Sequence, residues 1–172
     1  MKIYQMSIRI FFSFLLFQLF FISPDYKGMA QGNNDQPILM GRTHFRTLML
    51  RPYFDWFRRG YDNYVPNASA LEVLRQKSNG ISFLVFGGTW CEDTQNLLPV
   101  FVKVTDAAGI SRNRITLYFT DRDKHSPEGL ENQYGVTRVP TFIMVRNGVE
   151  LGRITESVSQ SIEADLADIL SR

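Results

Sequence analysis

The chain has 172 residues, of which 19 are basic and 17 are acidic. Three of the basic residues and one of the acidic residues lie within the first 30, so the remaining 142 residues carry 16 charges of each sign. This balance excludes the basic footprint expected of a nucleic-acid-binding protein. The single cysteine excludes an internal disulfide, and 142 residues are enough for one domain with a hydrophobic core.

Residues 1 to 30 have the three-part form of an export signal. Lys2 and Arg9 form a positively charged start, and residues 10 to 22 form a thirteen-residue apolar stretch. That stretch is shorter than the roughly 20 residues of a membrane span. Small residues at its end predict cleavage after Ala30, and an uncleaved amino-terminal anchor is the alternative. We therefore expect an exported protein, periplasmic in a bacterium or secreted, that meets a membrane only through a retained signal.

Residues 31 to 66 are predicted to form an extension ahead of the main domain, 67 to 172. Residues 31 to 37 are polar and predict a flexible leader. The stretch Pro52 to Gly60 predicts a short helix that ends at its glycine. Its many aromatic side chains favour a buried cluster over an exposed binding platform. Asn67 begins a formal glycosylation sequon, but we interpret it as the N-cap of the next helix.

The elements of the main domain alternate between helix and strand. They are, in order, helix 68–76, strand 81–86, helix 92–109, strand 115–120, short helix 126–134, strands 141–145 and 149–154, and helix 159–170. Asn147-Gly148 is the strongest hairpin signal in the chain, and Pro99 should kink the second of these helices. A parallel β-α-β unit followed by a hairpin predicts an α/β fold, with a mixed sheet covered by helices on both sides.

Cys91 lies where a buried strand turns into a helix, in the stretch Gly-Thr-Trp-Cys-Glu-Asp-Thr at 88–94. Its side chain should lie over unpaired backbone N–H groups at the positive end of the helix dipole, and both favour thiolate over thiol. Glu92 and Asp93 oppose this effect because they place negative charge beside the sulfur. Thr94 is one helical turn further on, where its hydroxyl could donate a hydrogen bond to the thiolate.

Three motifs resemble those of thioredoxin-family proteins. They are Phe-Leu-Val-Phe-Gly-Gly-Thr-Trp-Cys-Glu-Asp-Thr at 83–94, Tyr-Gly-Val-Thr-Arg-Val-Pro-Thr-Phe-Ile at 134–143 and Arg-Asn-Gly at 146–148. Each motif is modest alone, but their order and spacing together are specific. The resemblance covers residues 68 to 170 and implies a thioredoxin-like fold with an aromatic-rich extension at its amino terminus.

The resemblance also implies roles for individual residues. Cys91 would be the nucleophile, with Trp90 as its apolar flank and Thr94 as a stabiliser. Val139-Pro140 would be a cis peptide bond that faces the cysteine and, with the adjoining Thr141, docks an extended substrate peptide. Intrinsically, cis bonds before proline are uncommon, so this assignment rests on the resemblance alone.

The sequence departs from the family pattern at two positions. Thr94 stands where the resolving cysteine of a dithiol site would be, and Val85 stands where many members keep a buried acid. In a dithiol site the second thiol attacks the mixed disulfide and releases the substrate. Without it, Cys91 can still attack a disulfide, but the covalent complex must wait for an outside thiol.

Two functions follow from these observations. The first is thiol-disulfide exchange by a monothiol protein, with protein thiols or small thiols as partners. The second is a binding or scaffold module that has lost redox turnover. We expect no cofactor and no metal: Asp121, Asp123 and His125 are interpreted as a solvated loop, and His44 as a surface residue.

Overall fold

The computed structural model of the protein describes residues 30–31 and 36–172. The predicted export signal lies outside the described residues, apart from Ala30. Within the described ranges, no helix is both long and apolar enough to cross a membrane.

Seven strands and six helices make up the described chain. The strands are β1 Ala30–Gln31, β2 Pro37–Ile38, β3 Gly41–Thr43, β4 Ile81–Gly87, β5 Ile115–Phe119, β6 Thr141–Arg146 and β7 Val149–Thr155. The helices are α1 Phe45–Leu50, α2 Asp55–Asn63, α3 Ala68–Lys77, α4 Glu92–Ala107, α5 Leu130–Gln133 and α6 Ile162–Ser171. Short 3-10 turns lie at Pro52–Phe54 and Arg112–Arg114.

Five of the strands form one mixed sheet in the order β3-β5-β4-β6-β7. β4 and β5 are parallel, and the other neighbouring pairs are antiparallel. The register places Val85 of the central strand opposite Leu117 on one side and Phe142 on the other. The predicted α/β fold, with a mixed sheet flanked by helices, is confirmed.

Two hydrophobic cores lie on the two faces of this sheet. The larger contains Phe83 and Val85, and its aromatic centre is Phe101, whose ring lies 5.1 Å from Phe83 and 4.7 Å from Phe142. The smaller core is built on Phe86, and both Trp90 and Cys91 pack against it. The cysteine therefore lies at the edge of the smaller core, just beyond the carboxyl end of β4.

The local signals in the sequence have mixed outcomes. Asn147 and Gly148 adopt φ angles of 52° and 81° in the turn between β6 and β7, so the predicted hairpin is confirmed. The Asn67 side chain accepts hydrogen bonds from two backbone N–H groups of α3, as expected of an N-cap. The short helix begins later than predicted, at Leu130, because the Ser126 hydroxyl donates to the buried Glu131 instead of capping a helix.

The glycine predicted to end the aromatic helix lies inside α2 instead. A Cβ atom on Gly60 would lie 2.5 Å from Cγ of Pro99 in α4. The glycine therefore lets two helices approach each other closely, and it does not terminate the first of them. The sequence favours a helix end at this position because glycine is common just after a helix, whereas the contact with Pro99 comes from a separate helix.

The extension belongs to the larger core. Its buried side chains in this core are Leu39, Phe45, Leu48, Phe54 and Phe57. The expected burial of the aromatic cluster is confirmed at Phe54 and Phe57, while Tyr53 is 59% exposed. The sequence predicts a flexible leader at residues 31–37, of which the structure describes Gln31 and residues 36–37. Gln31 pairs with Pro37 in a two-stranded sheet. The three-residue β3, which the sequence did not predict, pairs with β5.

The end of the extension is tied to the last helix through a buried carboxylate. The Tyr64 hydroxyl lies 3.0 and 2.9 Å from the two carboxylate oxygens of Glu163, and the backbone N–H of Asn67 donates to the same group at 2.8 Å. Glu163 is only 1% exposed. Three donor-acceptor contacts thus satisfy a carboxylate that would be costly to bury alone.

This contact predicts a loss of stability in alkali. Burial, together with the hydrogen bond and charge of Glu163, raises the pKa of Tyr64 to about 12. The neutral phenol contributes its stabilisation fully below pH 10, and the contribution is lost as pH rises from about 10 towards 12. Urea unfolding at pH 8 and at pH 11 would measure this loss. From pH 8 to pH 11, the free energy of unfolding should fall by about 1 kcal/mol less in Tyr64→Phe than in the wild type. Tyr53→Phe, at an exposed site, should match the wild type, and an equal response of both variants would contradict the prediction.

Candidate functional site

Cys91 is the N-cap residue of α4 and is partly exposed. Its thiol donates a hydrogen bond to the carbonyl oxygen of Val139, with the sulfur 3.3 Å from that oxygen. The Val139–Pro140 peptide bond is cis. The structure therefore brings together a thiol and a backbone segment that are 48 residues apart in sequence.

The turn before the cysteine folds an indole ring back against the backbone. A Cβ atom on Gly88 would lie 2.6 Å from Cε2 of Trp90, so this position needs glycine. The indole N–H donates to the carbonyl oxygen of Thr120 at 3.0 Å. Arg122 and Lys124 lie 5.4 and 5.8 Å from the ring centre, within the range of cation-π attraction. Trp90 is thus held in one orientation beside the sulfur, consistent with its expected place as a flank.

Thr94 does not make the contact expected of it. Its side chain is fully buried, and its hydroxyl oxygen accepts a hydrogen bond from the backbone N–H of Gly88 at 3.2 Å. Within residues 36–172, no hydrogen bond joins Thr94 to the sulfur of Cys91. The hydroxyl fixes the turn that carries the cysteine, and it influences the thiol only through that turn.

The three residues predicted to dock a substrate have different environments. The side chains of Val139 and Pro140 are buried, and the Pro140 carbonyl accepts from the N–H of Glu156 at 2.8 Å. The Thr141 hydroxyl donates to the carbonyl of Arg138 at 2.7 Å and closes the turn around the cis bond. The group that meets the thiol is the backbone carbonyl of Val139.

Sequence reasoning missed one residue that positions the site. The side chain of Thr89 is fully buried; its hydroxyl donates to the carbonyl of Pro37 at 3.0 Å and accepts from the N–H of Leu39 at 3.2 Å. Its own carbonyl accepts from the Gln95 amide at 2.7 Å. The two bonds of the hydroxyl clasp the amino-terminal segment onto the loop that carries Cys91. No local pattern signals these two bonds, because their partners, Leu39 and Pro37, lie 50 and 52 residues away.

The clasp predicts a specific effect of Thr89→Val. Valine keeps the shape of threonine but leaves the N–H of Leu39 and the carbonyl of Pro37 unpaired. We expect a loss of about 1–3 kcal/mol in the free energy of unfolding and faster hydrogen exchange at the amide of Leu39. Thr155→Val, at an exposed strand position, should change neither quantity. Unchanged exchange at Leu39 in Thr89→Val would show that the clasp does not hold the segment.

The other polar candidates make no hydrogen bond to Cys91 within the described residues. His44 and His125 are exposed, and the N–H of His125 donates to the Asp121 carboxylate at 2.8 Å within one loop. Across the described residues, no group of three or more histidine, cysteine, aspartate or glutamate side chains is arranged to hold a metal ion.

An open cleft of about 670 Å³ borders the site on the side of the extension. It lies between α2 and the first turns of α4, and Trp90 and Glu92, the two neighbours of Cys91, line it. Because α2 belongs to the extension, this cleft is a consequence of the added helix.

Comparisons with known proteins agree on the family. The sequence profile of the thioredoxin family matches residues 48–166. Thioredoxin Y of Oryza sativa subsp. japonica, a chloroplastic protein, is 29% identical over 80 residues, which cover 46% of this chain and 45% of that relative. A thioredoxin of Malassezia sympodialis is 24% identical over 98 residues, which cover 56% of this chain and 90% of the relative. The chain thus spans less than half of the rice protein.

A solved structure supports the fold over a longer stretch. A protein of unknown function from Pseudomonas aeruginosa superposes with a TM-score of 0.54 at 16% sequence identity. The superposition covers 76% of this chain and 90% of that protein. At this identity the likeness concerns the fold alone.

Proposed function

Because the chain belongs to the thioredoxin family, we propose that it is an exported monothiol protein that takes part in thiol-disulfide exchange through Cys91. Members of this family act on protein thiols in general, so protein disulfides are the proposed substrates. Small thiols are the proposed partners that regenerate the protein. The apolar amino-terminal stretch supports the proposal of export.

One observation carries the proposal. The partly exposed thiol of Cys91 lies 3.3 Å from the backbone carbonyl of Val139 at a cis peptide bond. When the thiol loses its proton this hydrogen bond is lost, and the carbonyl can accept an N–H from an extended peptide. The nucleophile and a peptide-docking group are thus adjacent, as an attack on a peptide disulfide requires.

The proposed reaction starts with attack of the Cys91 thiolate on one sulfur of a substrate disulfide. A bond forms between the two sulfurs, the substrate disulfide breaks, and its second sulfur leaves as a thiolate that takes up a proton. The chain has one cysteine, so a thiol from another molecule must break the mixed disulfide. Thr94 cannot perform this step, because its hydroxyl group cannot replace a thiolate in attack on a disulfide, and its side chain is fully buried.

A non-catalytic binding module is the second candidate, and one observation favours it. The Thr94 hydroxyl is held by the backbone of Gly88, so the turn is maintained without any resolving group. A protein that keeps the peptide-binding carbonyl of Val139 but has lost catalytic thiol-disulfide exchange would have this arrangement. In that case the protein would bind peptides at Val139 whether or not Cys91 is present.

Trapping of a model peptide disulfide separates these candidates. The native protein should form a covalent adduct with the peptide at Cys91. Cys91→Ala should form no adduct. If the native protein forms no adduct, the exchange proposal fails. Equal peptide binding by Cys91→Ala and by the wild type would then favour the binding module.

A further inference from the structure

Three of the five large hydrophobic side chains that are exposed on the described chain lie within five consecutive residues. They are Met49 at 38% exposure, Leu50 at 64% and Tyr53 at 59%. Pro52, which lies between them in sequence, is exposed as well. Contiguous exposed apolar side chains commonly mark a surface that contacts another molecule. Together with the exposed Arg46, these four residues form what we call the basic-apolar surface.

Helix α1 contributes three residues to this surface. Phe45 and Leu48, on one face of the helix, are buried in the larger core. The other face carries Arg46, Met49 and Leu50, whose spacing of three and four residues makes them neighbours on a helix. A helix face that meets solvent is normally polar. The packing of the fold therefore does not account for the two apolar side chains on this face.

The same part of the chain is positively charged, although residues 31 to 172 as a whole are balanced. Residues 36 to 61 contain five arginines and one acidic residue, a net charge of +4 with histidine neutral. Residues 62 to 172 contain 11 basic and 14 acidic residues, a net charge of −3. The exposed apolar side chains thus lie within a basic segment of an otherwise acidic domain.

The positive charge around this surface is only partly neutralised. Arg46 makes no ion pair within the described residues. Asp55 pairs with both Arg58 and Arg59 at 2.7 Å, so a single carboxylate faces two guanidinium groups. One net positive charge of this trio therefore remains for an outside anion.

An open groove connects the charged and the apolar side chains. It has a volume of about 470 Å³, and Arg58 of α2 lines it together with Met49 and Leu50 of α1. The sulfur of Met49 also accepts a hydrogen bond from Arg112 at 3.2 Å, and Asp106 offsets the charge of that arginine. Cationic and apolar groups thus border the same open space.

We propose that the basic-apolar surface docks on a membrane that contains anionic phospholipids. Met49 and Leu50 enter the boundary between headgroups and acyl chains, and Tyr53 lies at the headgroup level, where tyrosine is enriched in membrane proteins. Arg46 and the trio around Asp55 face lipid phosphates, because an anionic bilayer attracts arginine. A bilayer supplies an apolar layer and an anionic layer together, and this matches the combination of side chains.

This inference goes beyond thiol-disulfide exchange, because the surface shares no residue with the site around Cys91. It adds a second membrane contact to the one expected from a retained signal. The proposed export takes the chain across a membrane, so a bilayer is a surface that the protein meets whether or not the signal is cleaved.

Hydrogen exchange of the full chain in the presence of lipid vesicles tests the proposal. Vesicles of phosphatidylcholine and phosphatidylglycerol should slow exchange at the amides of residues 46 to 53. Vesicles of phosphatidylcholine alone should have little effect, and added salt should weaken the protection because it screens the arginines. A signal sequence that binds vesicles by itself does not disturb this measurement, since exchange is recorded separately at residues 46 to 53.

Two substitutions with matched controls separate the charged from the apolar contribution. Arg46→Gln should reduce the added protection about fivefold, the effect of one cation near an anionic bilayer. Arg42→Gln, at an exposed position of β3, removes the same charge from the same segment and should have a smaller effect. Leu50→Gln should reduce the protection about tenfold. Val149→Gln should leave it unchanged, although Val149 is 65% exposed and so matches Leu50.

Three results would overturn the proposal. The first is unchanged exchange at residues 46 to 53 with the anionic vesicles, or equal protection by the neutral ones. The second is an equal effect of the Arg46 and Arg42 replacements, or of the Leu50 and Val149 replacements. The third is protection of the same amides that grows with protein concentration in the absence of vesicles, which would assign the surface to a second copy of the chain.

Discussion

Replacing Thr94 with cysteine should produce a protein that closes an internal disulfide with Cys91 and releases bound substrate without outside help. Position 94 lies one helical turn after the cysteine and is fully buried, so a thiol there faces the turn that carries Cys91. Because the attack becomes intramolecular, we expect release of a trapped peptide to accelerate by at least about a hundredfold. Stopped-flow measurement of peptide release from the adduct would record this.

Two further variants isolate the effect of the new thiol. Thr94→Ser keeps a hydroxyl that can accept from the N–H of Gly88, and it should release peptide no faster than the wild type. The double variant Cys91→Ser, Thr94→Cys keeps only the buried thiol at position 94 and should trap no peptide. Two free thiols in Thr94→Cys after mild oxidation would mean that residue 94 is not within reach of the sulfur.

The second large effect is expected at Gly60. Alanine is favoured over glycine within a helix by about 1 kcal/mol, so Gly60→Ala would be stabilising if only helix propensity acted. The added Cβ atom would, however, lie 2.5 Å from Cγ of Pro99 and force α2 away from α4. We expect a net loss of about 1–3 kcal/mol in urea unfolding, opposite in sign to the propensity effect.

A compensating substitution makes this prediction more specific. Pro99→Ala removes the Cγ atom that the new Cβ would meet, so the double variant should recover part of the loss caused by Gly60→Ala. Asp62→Ala, at an exposed position of the same helix, should change stability by less than about 0.5 kcal/mol. Stabilisation by Gly60→Ala alone would contradict the close packing of α2 on α4.

The sequence predicted those elements whose signals are local. The hairpin is determined by Asn147 and Gly148, which adopt the two positive φ angles, and α3 begins at the capping side chain of Asn67. The apolar run of β4 and the spacing of the family motifs were enough to place Cys91 at the start of a helix. In each case the decisive interaction lies within a few residues of the signal.

Features that depend on distant contacts were not predictable in this way. β3 is a strand only because it pairs with β5, and its three residues have no strand pattern of their own. Gly60 was assigned to a helix end because its partner, Pro99, lies in another helix. Within the site, the partner of Thr94 was predicted wrongly, since helical spacing indicates proximity to the sulfur but not the direction of the hydroxyl.

The tie between Tyr64 and Glu163 joins two parts of the chain that are synthesised at different times. The two residues are 99 positions apart, and a ribosome makes the amino-terminal one first. Until α6 has been made, the Tyr64 hydroxyl and the backbone N–H of Asn67 lack the carboxylate that pairs with them. A chain without α6 would therefore leave the end of the extension unfastened, although α2 could still pack on α4 through Gly60 and Pro99.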